Sequence, residues 1–161
     1  MSSISDAIQS KCLAFGDRII KLNDYLLSRA VAAHESYKKS TCQRKGKQSS
    51  HVRLQTSDIS VAAVPVYLQA VSALCNQLLR SGTSIVANNA EATNAISKAD
   101  FKSKSFIALK EARESLYWIG LLHRNGYLDD KQYTSIYADC EELVKVLVHR
   151  CKKINDDSDE K

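Results

Sequence analysis

Proline and glycine are scarce in this sequence, with one proline and five glycines among 161 residues. Both residue types interrupt helices, so their scarcity, together with plentiful alanine, leucine, lysine and glutamate, favours long helices. No alternating apolar and polar run bounded by turn residues predicts a strand. No apolar stretch is long enough to cross a membrane, and the first residues lack the basic-then-apolar pattern of a secretory signal. We therefore expect an all-α, cytoplasmic protein with no membrane partner.

The cysteines also lack a pattern that would give them a shared role. The five, Cys12, Cys42, Cys75, Cys140 and Cys151, are odd in number and include no C-x-x-C pair. This argues against a disulfide framework and against a zinc knuckle. Cys12 and Cys140 fall on apolar helix faces, where a free cysteine acts as a small buried hydrophobe. We expect no metal and no cofactor.

Signatures of catalysis are missing as well. The sequence contains no G-x-S-x-G elbow, no phosphate-binding loop of the G-x-x-x-x-G-K-[ST] type, and no Glu-x-x-His pair of the kind that builds a metal site inside a helix bundle. We therefore expect a protein that is not an enzyme.

Apolar residues recur at steps of three and four over four segments, which predicts four amphipathic helices. The first begins near Ser5 or Asp6 and continues to about Tyr37. The second runs from Ser57 or Asp58 to about Ala95, with Pro65 either kinking it or marking its start. The third is capped by Ser97 and ends at Asn125-Gly126, and the fourth is capped by Asp129 or Asp130. An acidic tail at about 155–161 is predicted to be disordered. Four such helices in one domain, residues 1–161, predict an up-down-up-down four-helix bundle.

Positive charge is concentrated in one part of the chain. Residues 29–56 carry seven basic residues and one acidic residue, a net charge of +6. The polar stretch at about 38–56 is predicted to be a solvated basic loop that binds nucleic acid, because lysine and arginine neutralise phosphates and release counterions. The alternative is a charged loop that is merely solvated. The predicted binding residues in this loop are Lys38, Lys39, Arg44, Lys45, Lys47 and Arg53.

A second basic set lies at the start of the third helix. Lys98 and Lys102 are four residues apart and share a helix face, and Lys104 follows. These three lysines either line a nucleic-acid surface or are ordinary exposed lysines. In the fourth helix, Arg150, Lys152 and Lys153 lie near the carboxyl end, where cations suit the helix dipole.

Several polar residues occur where an ordinary core would place apolar ones. We expect them to form hydrogen bonds between helices that fix the register of the bundle, because buried polar groups must be paired. The set predicted for this network is Arg80, Ser84, Asn88, Glu91, Glu111 and Arg113.

Four segments together resemble a known family: RSGTSIVANNAEA (80–92), SKADF (97–101), IALKEARESLYWIGLL (107–122) and GYLDDKQY (126–133). They resemble the bacterial four-helix-bundle proteins of the 23S rRNA intervening-sequence (S23) type. The accessory variability proteins of diversity-generating retroelements are more distant relatives. The resemblance covers about residues 76–154 closely and residues 6–27 more loosely. It implies a ring-like homopentamer and a link to structured RNA or DNA, with a reverse transcriptase as a possible partner.

The chain departs from this family pattern in the long basic segment at residues 29–75. Either the first two helices both extend beyond the bundle, or a separate recognition element is inserted; continuing apolar periodicity favours the extension. We predict a non-enzymatic, oligomeric nucleic-acid-binding bundle, accessory to structured RNA or to a reverse transcriptase. The alternative is a protein-interaction scaffold, since Tyr117, Trp118, Tyr133 and Tyr137 leave surplus aromatic surface.

Overall fold

The four predicted helices are present and form one antiparallel bundle. A computed structural model describes residues 4–45 and 57–159, with side chains described for residues 5–39 and 68–154. The helices in this part of the chain are α1 (Ile4–Lys45), α2 (Ser57–Thr93), α3 (Lys98–Arg124) and α4 (Asp130–Asp159). Contacts between them run α1–α2, α2–α3, α3–α4 and α1–α4. This arrangement confirms the predicted up-down-up-down four-helix bundle.

The core is built from the apolar stripes that the sequence predicts. Each helix contributes fully buried residues at steps of three, four and seven, so that every stripe faces the bundle axis. The described core includes Ile8, Cys12, Phe15, Ile19, Leu26, Val71, Cys75, Leu78, Ile85, Ala108, Ala112, Ile119, Leu122, Ile136, Cys140, Leu143, Leu147 and Cys151. None of the helices in the described ranges is long and apolar enough to cross a bilayer.

The joints between helices follow the predicted capping rules. Ser97 caps α3, its Oγ accepting a hydrogen bond from the backbone N–H of Asp100 at 3.1 Å. Asp129 and Gln132 bond reciprocally at the start of α4, where the carboxylate accepts from one backbone N–H and the amide from the other. Gly126 has φ of 74° and ends α3 in the left-handed conformation that glycine adopts without strain. These local signals explain why α3 and α4 begin within a residue or two of their predicted positions.

Helices α1 and α2 approach each other closely at two glycines. A Cβ built on Gly82 would lie 2.9 Å from the Ile19 side chain, and one built on Gly16 would lie 2.7 Å from Val86. Contacts this short are not tolerated, so a side chain at either position would require the neighbouring side chain or helix to shift. The glycine inside α2 therefore has a packing role that offsets its poor helix propensity.

Two of the sequence predictions about helix ends are wrong. Helix α1 continues to Lys45 rather than ending near Tyr37, so residues 38–45 of the predicted basic loop are helical. Helix α4 continues to Asp159, so most of the predicted disordered tail at 155–161 is helical as well. Once a helix has started, each added residue gains a hydrogen bond, and lysine, arginine and glutamine are good helix formers. Apolar periodicity alone therefore places these ends too early.

The long segment between the inner parts of α1 and α2 is largely an extension of those two helices. Helix α1 has 42 residues and α2 has 37, whereas α3 has 27. Pro65 lies inside α2 and does not mark its start. The described residues thus agree with the first of the two sequence interpretations, in which both helices extend beyond the bundle.

Candidate nucleic-acid interface

The predicted basic loop residues divide into those on α1 and those outside the described residues. We call residues 31–45 the outer segment of α1, because Ala30 is the last buried residue among the side chains described for that helix. Lys38 and Lys39 have exposed side chains in this segment, and Arg44 and Lys45 form its last turn. Lys47 and Arg53 lie outside the described residues. Four of the six predicted cations are therefore arranged along a helix rather than in a loop.

The outer segment extends past the end of the shorter helices. Nη1 of Arg29 donates a hydrogen bond to the carbonyl of Tyr127 at 3.5 Å, which places the turn between α3 and α4 beside this part of α1. Sixteen residues of α1 follow Arg29, a length of about 24 Å. Lys38 makes an exposed ion pair with Glu35 at 3.7 Å, a contact of small energetic value in water. Lys38 and Lys39 are thus accessible to an anionic partner.

The second predicted set, Lys98, Lys102 and Lys104, lies in the first turns of α3. Lys98 is exposed and Lys102 is half-buried. Lys104 pairs with Glu91 of α2, and hydrogen bonding to that carboxylate raises the pKa of the lysine. Since Glu91 already balances its charge, Lys104 is the member of this set least suited to bind phosphate.

The residues predicted to form a polar network differ in their contacts and in their burial. Glu91 does bridge two helices through Lys104, whereas the amide of Asn88 bonds to Ser84 within α2, at 2.9 Å to its carbonyl and 3.1 Å to its Oγ. Three further members are not buried: Arg80 and Arg113 are exposed and Glu111 is half-buried.

The buried polar contacts between helices are made by other residues. Oγ of Ser115 on α3 donates to Oγ of Ser81 on α2 at 2.8 Å, with both side chains buried. The amide of Asn89 on α2 donates to the side chain of Gln9 on α1. The sequence does contain a signal for the Ser115 contact, because Ser115 lies on the apolar stripe of α3 together with Ala112 and Ile119. Small neutral side chains at stripe positions mark these contacts better than charged residues do.

A basic groove that the sequence analysis missed lies at the opposite end of the bundle. Here the start of α1, the start of α3 and the end of α4 surround a cavity of about 660 Å³. We call it the seam groove, because it opens where α1 and α4 meet along the least extensive helix contact of the bundle. Its lining residues are Ser5, Ile8, Phe101, Lys145, Val146, His149, Arg150, Lys153 and Ile154. The lining combines three cations and one histidine with an apolar wall, and no carboxylate is among its described residues.

Arg150 has the most unusual environment in the seam groove. Its guanidinium carbon lies 5.9 Å from the centre of the Phe101 ring, within the range of a cation–π contact. Its Nη1 atom is buried and has no hydrogen-bond partner among the described residues. Burial lowers the pKa of this guanidinium below its usual value. A buried N–H without an acceptor costs free energy, so this position of the arginine is unfavourable for folding alone.

A second, smaller cavity lies on another side of α4. Its volume is about 430 Å³, and three of its lining residues are the cations Lys110, Arg113 and Lys152. The rest of the lining includes Phe106, Leu109, Val148 and Cys151. The last third of α4 is therefore flanked by positive charge on two sides.

The basic residues of α4 carry a sequence signal that the helix-dipole interpretation obscured. Lys145, His149 and Lys153 are spaced four residues apart and so share one helix face.

The seam groove and the outer segment are far from each other. Ile8 lines the groove and Lys38 follows it by 30 residues on α1, a distance of about 45 Å along the helix. The molecule thus presents two separate basic regions.

The thiols of the described cysteines do not contribute to either basic region. Cys12, Cys75, Cys140 and Cys151 are buried and free. Burial raises the pKa of Cys12 to about 11 and that of Cys140 to about 12, so both are protonated near neutral pH. In the part of the chain that the structure covers, no cluster of three or more His, Cys, Asp or Glu residues is arranged to hold a metal ion.

Comparison with known proteins places the chain in a family. Among curated proteins none matches it. A solved structure from Bacteroides thetaiotaomicron VPI-5482, described as a protein with unknown function from the S23 ribosomal protein family, is 32% identical in sequence, with a TM-score of 0.62. The match covers 92% of this chain and 97% of that one. The sequence profile of a family described as 23S rRNA-intervening sequence protein matches residues 54–149. The chain therefore belongs to the 23S rRNA-intervening sequence protein family.

Proposed function

We propose that this protein is a non-enzymatic, oligomeric helical bundle that binds structured nucleic acid, with RNA as its main ligand. The observation that carries the proposal is the exposed positive charge of the outer segment of α1. Lys38 and Lys39 are exposed there, two further cations form the last turn, and the whole stretch 29–56 has a net charge of +6. The family's description, which refers to 23S rRNA, supports RNA as the ligand.

The chemistry of this region favours binding to the phosphate backbone over reading of bases. Lysine and arginine side chains release condensed counterions when they neutralise phosphates, so binding weakens steeply with salt. Tyr37 is the aromatic residue nearest to the cations in the outer segment, which leaves little surface for stacking unpaired bases there. Self-assembly would present several outer segments to one RNA and raise the effective concentration of each.

A protein-interaction scaffold is the second candidate, favoured by exposed apolar residues. Leu13, Ile20 and Val31 are 48%, 45% and 54% exposed, and their spacing of seven and eleven residues places them along one line of α1. On α3, Tyr117 is 58% exposed. Trp118, Tyr133 and Tyr137, which the sequence analysis grouped with it, are half-buried against the core. Exposed apolar stripes of this kind serve self-assembly or partner docking.

The test of RNA binding replaces the six cations of residues 38–53 by glutamine and measures affinity over a salt series. The plot of log K against log salt has a negative slope, and each lost phosphate contact reduces the magnitude of that slope by about 0.7 to 0.9. The six-residue variant is therefore expected to lose a slope of up to about 5. A smaller pair gives a matched control: Lys38→Gln with Lys39→Gln is compared with Lys21→Gln with Lys131→Gln, two exposed lysines elsewhere. Neither pair should change the free energy of unfolding by more than about 0.5 kcal/mol.

An unchanged salt slope in the six-residue variant would remove the outer segment from the proposal. A protein that purifies as a clean oligomer, binds a protein partner in a pull-down and shows no affinity for RNA or DNA would favour the scaffold instead. Genomic position adds an independent criterion, because a gene inside an rRNA operon favours an RNA ligand and one beside a reverse transcriptase favours an accessory role.

A further inference from the structure

We infer that the seam groove is a pocket for one unpaired nucleotide of a bound RNA strand. The inference rests on the proposed function, since it takes RNA as the ligand, but it assigns a second and different contact. The groove lies about 45 Å along α1 from the outer segment (30 residues from Ile8 to Lys38). It differs from that segment because it is concave and carries an aromatic ring beside its cations.

The size and lining of the groove fit a group that is flat and apolar at one end and anionic at the other. A volume of about 660 Å³ lies within the range of small-ligand pockets. Ile8, Val146 and Ile154 form an apolar wall, and Phe101 adds an aromatic ring. Unpaired bases bind proteins by stacking on aromatic rings and on guanidinium planes. This wall is therefore suited to a nucleobase.

Basic side chains of the groove are spaced to follow a phosphate backbone. Lys145, His149 and Lys153 are successive at intervals of four residues on α4, and all three are exposed. Each interval corresponds to a rise of about 6 Å, similar to the separation of neighbouring phosphates on an extended strand. Lys145 has a partner in Glu141 at 2.8 Å, but this pair is exposed and exchanges readily with another anion.

Arg150 provides the strongest sign that the groove is built for a ligand. Its Nη1 is buried without a partner in the described part of the protein. Its helical neighbours three and four residues away are Val146, Leu147, Lys153 and Ile154, none of which is acidic. A cation held in this way contributes little to folding. Because Arg150 is only partly buried and lines the groove, the rest of its guanidinium group can face a phosphate or the carbonyl of a base.

Charge at the mouth of the groove links it to the second predicted basic set. Phe101 lies between Lys98 and Lys102 on α3. The carboxylate of the adjacent Asp100 accepts a hydrogen bond from the backbone N–H of Ile96 at 3.3 Å, so it is engaged in the cap of α3. Lys98 and Lys102 thus add positive charge to the first turns of α3, the helix that contributes Phe101 to the groove.

The test compares two fluorescent RNA hairpins that differ only by one bulged, unpaired nucleotide. The wild-type protein is expected to bind the bulged hairpin at least about fivefold more tightly, the low end of what one stacked base contributes. Arg150→Met should abolish that preference while leaving the free energy of unfolding unchanged or raised, because it removes a partly buried charge whose Nη1 has no acceptor among the described residues. Phe101→Leu keeps apolar volume and should also reduce the preference. Arg124→Met, an exposed arginine at the far end of α3, is the matched control and should retain it.

The outcomes separate this inference from the proposed function. If the wild-type protein binds neither hairpin, the proposed function fails. If it binds both hairpins equally, or if Arg150→Met retains the bulge preference, RNA binding stands and the nucleotide pocket is wrong. A third outcome is that the hairpins bind equally while adenosine 5′-monophosphate binds in a titration and loses affinity in Arg150→Met. The groove then takes a free nucleotide, and its assignment to a nucleotide of a bound RNA strand is overturned. Binding of an acidic peptide that depends on Arg150, without a bulge preference, would overturn it as well.

Discussion

The inner and outer parts of α1 show how one continuous helix can serve two purposes. From Ile8 to Ala30, buried residues recur along a single face and pack against the other helices. Beyond Ala30, the described side chains of residues 31–39 are exposed or half-buried. The inner part supplies free energy of folding through burial. In the outer part, the side chains of residues 31–39 contribute little burial and include exposed charge. Substitutions in the two parts should therefore be detected by different measurements.

The largest expected difference between the two parts is in the cost of truncating an aliphatic side chain. Ile19 is fully buried, so Ile19→Ala should lower the free energy of unfolding by about 2–5 kcal/mol. Val31 in the outer segment is 54% exposed, and Val31→Ala should cost less than about 1 kcal/mol. Ile20→Ala, at a neighbouring position that is 45% exposed, controls for residue type. Urea denaturation at fixed protein concentration measures all three, and equal losses would contradict the division of α1.

The exclusion of water from the inner part of α1 predicts a loss of stability at alkaline pH. Burial raises the pKa of Cys12 from 9.0 to about 11, with Arg150 opposing the shift. The thiol must stay protonated in the fold. Its contribution to the free energy of unfolding is therefore fully present below about pH 9 and is lost as the pH rises towards 11. A shift of this size corresponds to about 2–3 kcal/mol. Cys12→Ala should therefore flatten the dependence of unfolding free energy on pH between 9 and 11, and an unchanged slope would show that Cys12 is hydrated.

A smaller effect tests the close approach of α1 and α2. Gly82→Ala places a Cβ against Ile19, and the overlap should lower the free energy of unfolding by about 1–3 kcal/mol. Gly120 on α3 has no atom within 4 Å of an added Cβ. Gly120→Ala should therefore raise the free energy of unfolding by up to about 1 kcal/mol through helix propensity alone. Effects of the same sign in the two variants would show that packing against Ile19 is not the cause. Circular dichroism during thermal unfolding is sufficient to measure both.

Much of the fold was predictable because its signals are local. The stripe positions Ile8, Cys12, Phe15 and Ile19, the cap at Ser97 and the left-handed Gly126 each depend on neighbours only a few residues away. The outer end of α1 was placed wrongly because polar residues without periodicity do not reveal whether a helix that has begun will continue.

The candidate sites were less predictable because they depend on which helices meet. Lys145, His149 and Lys153 form a visible stripe, but the sequence does not show that Phe101 and Ile8 face them across a cavity. The charge of Lys104 was visible too, whereas its neutralisation by Glu91 required the packing of α2 against α3.

The sequence by itself determined that this protein is an all-helical bundle of the S23 type with its positive charge unevenly spread. Periodicity, capping residues and charge are properties of neighbouring residues, so they can be read along the chain. The tertiary structure decided which charges are free and which are paired, because that depends on contacts between residues far apart in sequence. It also placed Arg150 beside the Phe101 ring, with its Nη1 lacking a hydrogen-bond partner among the described residues, in a groove shared by three helices, which no local pattern encodes.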